Sequence, residues 1–317
     1  MNSRTKLLEQ YDSLRKAFGD PCDEIIYHYT SAQGFRGIIE NNEIWLSNIV
    51  FVNDTTECRA LQEETDLFSE SDFKNKEVKD HWFTFINSRH TERDTYIASF
   101  TRSEESLEQW RAYGMFRIGF KASQLITGRF NLYQCVYDHE QIKQWILDKC
   151  QLTEWYGDSL TEEYKRVAAW ELIYAASRKY KNKHFFNERE VRLVVTSHHT
   201  WKPFPNSPSM FASDPPIYYR DHPAYKIPVP YVKLFITRTD MNINTERRVT
   251  NETAREMKER KLNEEKSTKR DILPITDVLI GPMPHKGEAK VACDILLKDR
   301  GYESVEVNIS NIPYRGF

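Results

Sequence analysis

The chain has 317 residues, of which 39% are hydrophobic and 13% aromatic, enough to build a large core and incompatible with global disorder. Its 45 basic and 47 acidic residues leave a formal net charge of −2, so no overall field draws it to nucleic acid or to an anionic membrane, and any such contact would need a local patch. No apolar run reaches the ~18 residues of a membrane span and the first ten residues hold no apolar signal stretch. Five scattered cysteines without C-x-x-C spacing (Cys22, Cys58, Cys135, Cys150, Cys293) fit a reduced, cytoplasmic setting with neither a disulfide framework nor a structural zinc site.

Leu7, Leu8, Tyr11, Leu14 and Phe18 recur at helical spacing, predicting an opening amphipathic helix over about residues 1–20. A strand over Glu24–Tyr29 follows, then a helix over Ala32–Glu40 capped by Thr30 or Ser31, and a strand over Ile44–Ser47. In the segment Phe51 to Glu57, Asn53-Asp54 is a turn signal: Asp54 or Thr55 caps a following helix, or the loop contacts a ligand. Thr95–Phe100 reads as a strand, Ser103–Tyr113 as a charged helix and Met115–Phe120 as a strand. Helices are expected over 138–151 and 160–180, parted by Gly157-Asp158-Ser159. Glu188–Val195 reads as a strand that starts with Glu188, Glu190 and Arg192 on one face. Residues 201–230 read as a loop or edge-strand region, and 245–270 as a charge run on a solvated helical arm or insertion. A strand over Ile275–Ile280, a turn at Gly281-Pro282, a helix over Gly287–Lys298 and a strand over Glu303–Val307 close the chain. With no repeat and no long linker, one mixed domain over 1–317 is expected.

Three constellations offer chemistry. Tyr27 and Tyr29 share one strand face with His28 on the other, an arrangement that serves either core packing or a ligand at the strand end. Ser99-Phe100-Thr101, with Trp110, Arg111 and Tyr113 downstream, combines a hydroxyl, rings able to stack on a flat ligand and a guanidinium suited to phosphate; tryptophan and tyrosine at such spacing equally serve a core. Glu188-x-Glu190-x-Arg192 is either an ion-paired edge strand worth about 0–1 kcal/mol or a site with tuned carboxylates. Zinc-ligand, P-loop, nucleophile-elbow and G-x-G-x-x-G spacings are all missing from the sequence.

Taken in order, Tyr27-His28-Tyr29-Thr30, Gly34 to Ile39, Trp45-Leu46-Ser47, Phe51 to Glu57, Ser99-Phe100-Thr101, Trp110 to Gly114, Glu188 to Arg192, Ile280-Gly281-Pro282 and Ser310 to Arg315 span nearly the whole chain after residue 20. In that order they resemble a widespread bacterial family catalogued as domain-of-unknown-function family 2971, itself similar to the ADP-ribosyltransferase superfamily. The resemblance implies an α+β fold with a split β-sheet core and surrounding helices, and NAD as substrate. It implies that His28 holds the nicotinamide ribose, that Ser99 or Phe100 stands on the middle strand, and that Glu190 is the catalytic carboxylate, with Glu188 completing E-x-E. Tyr29 or Trp110 would stack on nicotinamide and Arg111 or Arg192 would meet the pyrophosphate, with Tyr27, Thr30, Asn53, Asp54 and Tyr113 around the nucleotide. The implied activity is ADP-ribose transfer to an acceptor, protein or nucleic acid, or NAD glycohydrolysis, in the setting of a toxin or phage-defence effector. Two other readings stand beside it: a non-catalytic nucleotide- or partner-binding module on the same fold, and a nucleic-acid-acting protein using residues 245–270 and Arg315.

Overall fold

The computed structural model describes residues 16–20, 22–54, 56–87, 94–127, 130–155, 162–197, 215–222, 225–237 and 270–313. Strand β1 (Ile25–Thr30) runs into helix α1 (Ala32–Asn41), whose start is fixed by the Ser31 hydroxyl accepting from the Gly34 amide at 3.1 Å. Phe35, Ile38 and Ile39 recur at helical spacing and form its buried face. A Cβ at Gly34 would overlap the Thr30 hydroxyl, so only glycine lets α1 start this close to β1. Gly114 meets the same turn from the other side: at φ 121° it lies against the backbone of Thr30 and Ser31, where a side chain has no room.

Ten described strands make one sheet, antiparallel except for the pair β11 (Ile275–Ile280) and β12 (Glu306–Ile309). Strand β1 pairs along its length with β4 (Phe116–Lys121), and β4 in turn with β11. At the centre stands β3 (Thr95–Thr101). One of its edges pairs throughout with β6 (Glu190–Thr196), which continues to β5 (Asn131–Gln134). The other edge is shared: β1 touches it at Tyr27↔Thr101, and β2 (Ile44–Asn48) at Ser47↔Ile97 and Asn48↔Tyr96. Strand β2 then carries β8 (Pro228–Leu234) and β7 (Tyr218–Asp221). The sheet is therefore forked at β3, where β1 and β2 take different stretches of one edge.

Period-2 alternation along β3 and β6 feeds two cores. Tyr96, Ala98, Phe100, Val191, Leu193 and Val195 pack with Phe35 and Ile39 of α1 and with Leu297 of α6 (Lys286–Asp299). Ile97 and Val194 point the other way, onto α2 (Lys76–Asn87), α4 (His139–Trp155) and α5 (Glu162–Lys179) through Trp82, Ile146, Leu172 and Ile173.

The expected order of strand, helix and strand holds for β1–α1–β2, for β3, α3 (Leu107–Tyr113) and β4, and for β11–α6–β12. Three readings are corrected. The strand expected from Glu188 starts at Glu190: Lys183–Glu188 forms a 3₁₀ turn, and Arg189, in the left-handed region at φ 45°, redirects the chain. Glu188 is thus off the strand face that Glu190 and Arg192 share. The helix expected after Asp54 is a turn followed by a short 3₁₀ segment at Ala60–Glu63, and helix α2 and strand β5 are additional elements. The region 201–230 does contain the edge strand β7 and the start of the interior strand β8; after it, β9 (Ile236–Thr237) and β10 (Arg270–Asp271) form a separate pair. Most of the opening helix, His198, His199, the charge run 245–269 and Arg315 lie outside the described residues. No helix among the described residues is long and apolar enough to cross a membrane.

Candidate functional site

Where β1 and β2 part along β3, a cleft of about 820 Å³ opens, reaching from the start of α1 to the turn at Asn53-Asp54 and down to Glu190. Eight of the residues expected from sequence line it: His28, Thr30, Asn53, Asp54, Ser99, Tyr113, Glu188 and Glu190.

The fork itself explains how His28 is placed. Ser99 lies on β3 between the points reached by β1 and β2, and its carbonyl accepts from His28 Nδ1 at 2.9 Å. With Nδ1 donating, the neutral ring carries its lone pair on Nε2. Burial pushes the His28 pKa below 6.5, against the pull of the Ser99 carbonyl, so the ring is neutral at physiological pH. His28, Ser99 and Glu190 line the cleft together.

The floor of the cleft is a buried cluster of three carboxylates and two cations. Lys181 Nζ donates to Glu188 Oε2 at 2.6 Å and Glu190 Oε2 at 2.7 Å, and stands 3.9 Å from Glu57 Oε2. Arg192 Nε donates to Glu190 Oε2 at 3.2 Å, its NH2 pairs with Glu57 Oε1, and its NH1 donates to the Arg178 carbonyl at 2.7 Å. Three carboxylates against two cations leave one negative charge when all are ionised. Burial drives the Glu190 pKa up, but Arg192 and Lys181 outweigh it and hold the carboxyl down at about 2. For Glu57 the balance is reversed: burial and the neighbouring Glu190 raise it, with Arg192 opposing. Lys181 stays charged because the glutamates around it overcome its own burial. Two carboxyls sharing the same cations are thereby pushed apart, Glu190 toward permanent charge and Glu57 toward protonation.

Six expected contacts lie elsewhere. Arg192 is fully buried behind Glu190 and buttresses it instead of meeting a ligand. Tyr29 and Trp110 pack edge to face at 4.6 Å in a satellite core, and the Tyr29 hydroxyl donates to the Glu104 carbonyl at 3.2 Å, so neither ring is available to nicotinamide. Tyr27 lies under the Arg117 guanidinium, 4.2 Å from its ring centre. Phe100 faces the first core, 5.7 Å from Phe120. Arg111 sits on the exposed side of α3 and is not among the lining residues. Tyr113, 40% exposed, is the ring of that segment that reaches the cleft.

Lys181 and Glu57 are the residues that sequence reasoning missed as site members. Lys181 stands in the run Arg178-Lys179-Tyr180-Lys181, which reads as a solvated helix end, and Glu57 ends a turn motif that explains itself by capping. Compared with family models, curated proteins and solved structures, the chain matches none.

Proposed function

We propose that this protein cleaves the nicotinamide–ribose bond of NAD and transfers ADP-ribose to an acceptor or to water, on an ADP-ribosyltransferase-like split sheet. The observation that carries the reading is the cleft at the fork, which His28, held by the Ser99 carbonyl, and the ionised Glu190 line together. In this reaction the C1′–N bond breaks with its electron pair leaving on nicotinamide, and positive charge develops on the ribose. A carboxylate held ionised beside that ribose stabilises the charge electrostatically, while a pKa near 2 makes it a poor proton acceptor. The neutral His28, with a lone pair on Nε2, suits a hydrogen bond from a ribose hydroxyl. The ionised Glu190 favours the cationic nicotinamide end. The α1 N-terminus, which lines the cleft, offers positive potential to the phosphates.

Nicotinamide release from NAD by the purified protein, with cell lysate as acceptor source, tests this. Wild type is expected to release nicotinamide and Glu190→Gln to lose about 100-fold or more, the usual effect of deleting one preorganised electrostatic group. Silence from folded wild type overturns the reading.

One observation favours a second reading. Both cations next to Glu190 are already paired to it, which is how a structural carboxylate is held, so a silent nucleotide-binding module fits the same cleft. That module would bind ADP-ribose saturably with no turnover of NAD. For the nucleic-acid reading, the residues it relied on lie outside the described ones.

A further inference from the structure

Residues of β2 and β7 also line the cleft and take no part in the chemistry above. On β2, Ile44 and Leu46 are buried while Trp45 between them is 39% exposed and lines the cleft. Single exposed aromatics are common and by themselves mean little. What distinguishes Trp45 is that it is exposed and yet immobilised. Its Nε1 donates to Glu43 Oε1 at 2.7 Å, and Glu43 is itself 3% exposed and pinned by Lys233 and Arg270, each at 3.1 Å. Behind it lies Tyr231, buried, with ring centres 4.5 Å apart. The indole has therefore already lost the rotamer freedom that a ligand would otherwise have to remove on binding. Arg220 lies over the indole with its Cζ 5.9 Å from the ring centre, and its NH2 donates to Ser47 Oγ at 2.8 Å. Arg220 lines the cleft together with Trp45.

We infer that Trp45 and Arg220 form a purine nucleotide subsite, with the base stacked on the indole and the adjoining phosphate taken by the guanidinium. A fixed ring with a guanidinium 5.9 Å from its centre matches a flat base joined through a sugar to a phosphate. The inference deepens the function proposed above, since it seats the adenylate half of NAD at one end of the cleft and leaves the nicotinamide half for Glu190.

Titration calorimetry with AMP and with adenosine, on the full chain, tests it separately from the chemistry. Wild type is expected to bind AMP, Trp45→Ala to bind it about 10-fold or more weakly, in line with the stacking contribution of one aromatic, and Trp45→Phe to keep most of the affinity. Arg220→Ala is expected to weaken AMP and leave adenosine unchanged. If Trp45→Ala fails to fold, the Arg220→Ala split between AMP and adenosine carries the test alone. No binding by wild type at about 1 mM AMP, or affinity indifferent to both Trp45 and Arg220, overturns the subsite. AMP binding of the expected pattern without nicotinamide release would sink the proposed chemistry and leave the subsite standing.

Discussion

The imidazole of His28 and the backbone carbonyl of Ser99 meet at 2.9 Å at the place where β3 is served by neither β1 nor β2. An interior strand carbonyl left without a partner is unfavourable, and here a side chain supplies the hydrogen bond that a neighbouring strand would have made. One residue thus closes the gap in the sheet and presents its second nitrogen to the cleft, so architecture and site share the same atom pair.

This has a pH signature. Because burial lowers the His28 pKa, the unfolded chain binds the proton more readily than the folded one. The stability it contributes is fully present above the ordinary histidine pKa of 6.5 and is lost as pH falls through the folded value. Thermal unfolding from pH about 5 to 8 should show wild type losing stability on the acid side more steeply than His28→Gln. Parallel profiles would remove His28 from the account.

Glu190→Ala and Glu190→Gln should separate stability from chemistry. Alanine leaves Lys181 and Arg192 facing each other without the shared carboxylate, a buried-charge defect of about 3–5 kcal/mol, whereas glutamine retains an acceptor and costs less. Both are expected to abolish nicotinamide release, so glutamine is the informative variant. Denaturant unfolding of the pair checks the ranking.

Glu57→Gln should behave differently from Glu190→Gln. The raised pKa of Glu57 means that its contribution to stability is present below the ordinary value of 4.5 and is lost as pH rises through the folded value. Glu190 has the opposite sign, with its contribution present above 4.5 and lost as pH falls toward about 2. At neutral pH the glutamine at 57 is therefore expected to be the milder change, and equal melting temperatures for the two variants would contradict the cluster as described.

Lys181→Met should be among the most damaging single changes, because it removes the cation bonded to both Glu188 and Glu190. A loss of about 3–5 kcal/mol is expected, with Lys181→Arg in between. If Lys181→Met unfolds at the wild-type denaturant concentration, the cluster is not what holds the floor of the cleft.

Gly34→Ala should cost about 1–3 kcal/mol by overlap with the Thr30 hydroxyl, and much less in a Thr30→Ala background. Additive losses in this double-mutant cycle would place the strain elsewhere.

Much of the local order was legible in the chain. Ser31 at the start of the Phe35, Ile38, Ile39 pattern announces α1, and alternation through Ile97 and Phe100 announces β3. Helix α2 was legible and overlooked: Val78, Trp82 and Phe85 stand at helical spacing. What could not be read was long-range pairing. Glu188-x-Glu190-x-Arg192 looks like one strand face, and the left-handed Arg189 that breaks it leaves no signal, since arginine is not a residue chosen for that conformation. Likewise the roles of Tyr29 and Trp110 depend on which side of β1 faces the fork, and residue type alone does not encode that.

The forked pairing of β3 also sets an order of assembly. Synthesis delivers His28, Glu57 and Ser99 well before Lys181, Glu190 and Arg192, and β6, which brings two of those last three, is also the strand that covers the whole far edge of β3. Until β6 emerges from the ribosome, the central strand has an open edge, Glu57 has no guanidinium and the cleft has no floor. Closing so distant a pair is slow, and it completes the sheet and the charge cluster in the same event. A nascent chain halted short of β6 would be both inert and prone to pair its exposed edge with other chains, so any activity this protein has is switched on only when its middle strand is finally covered.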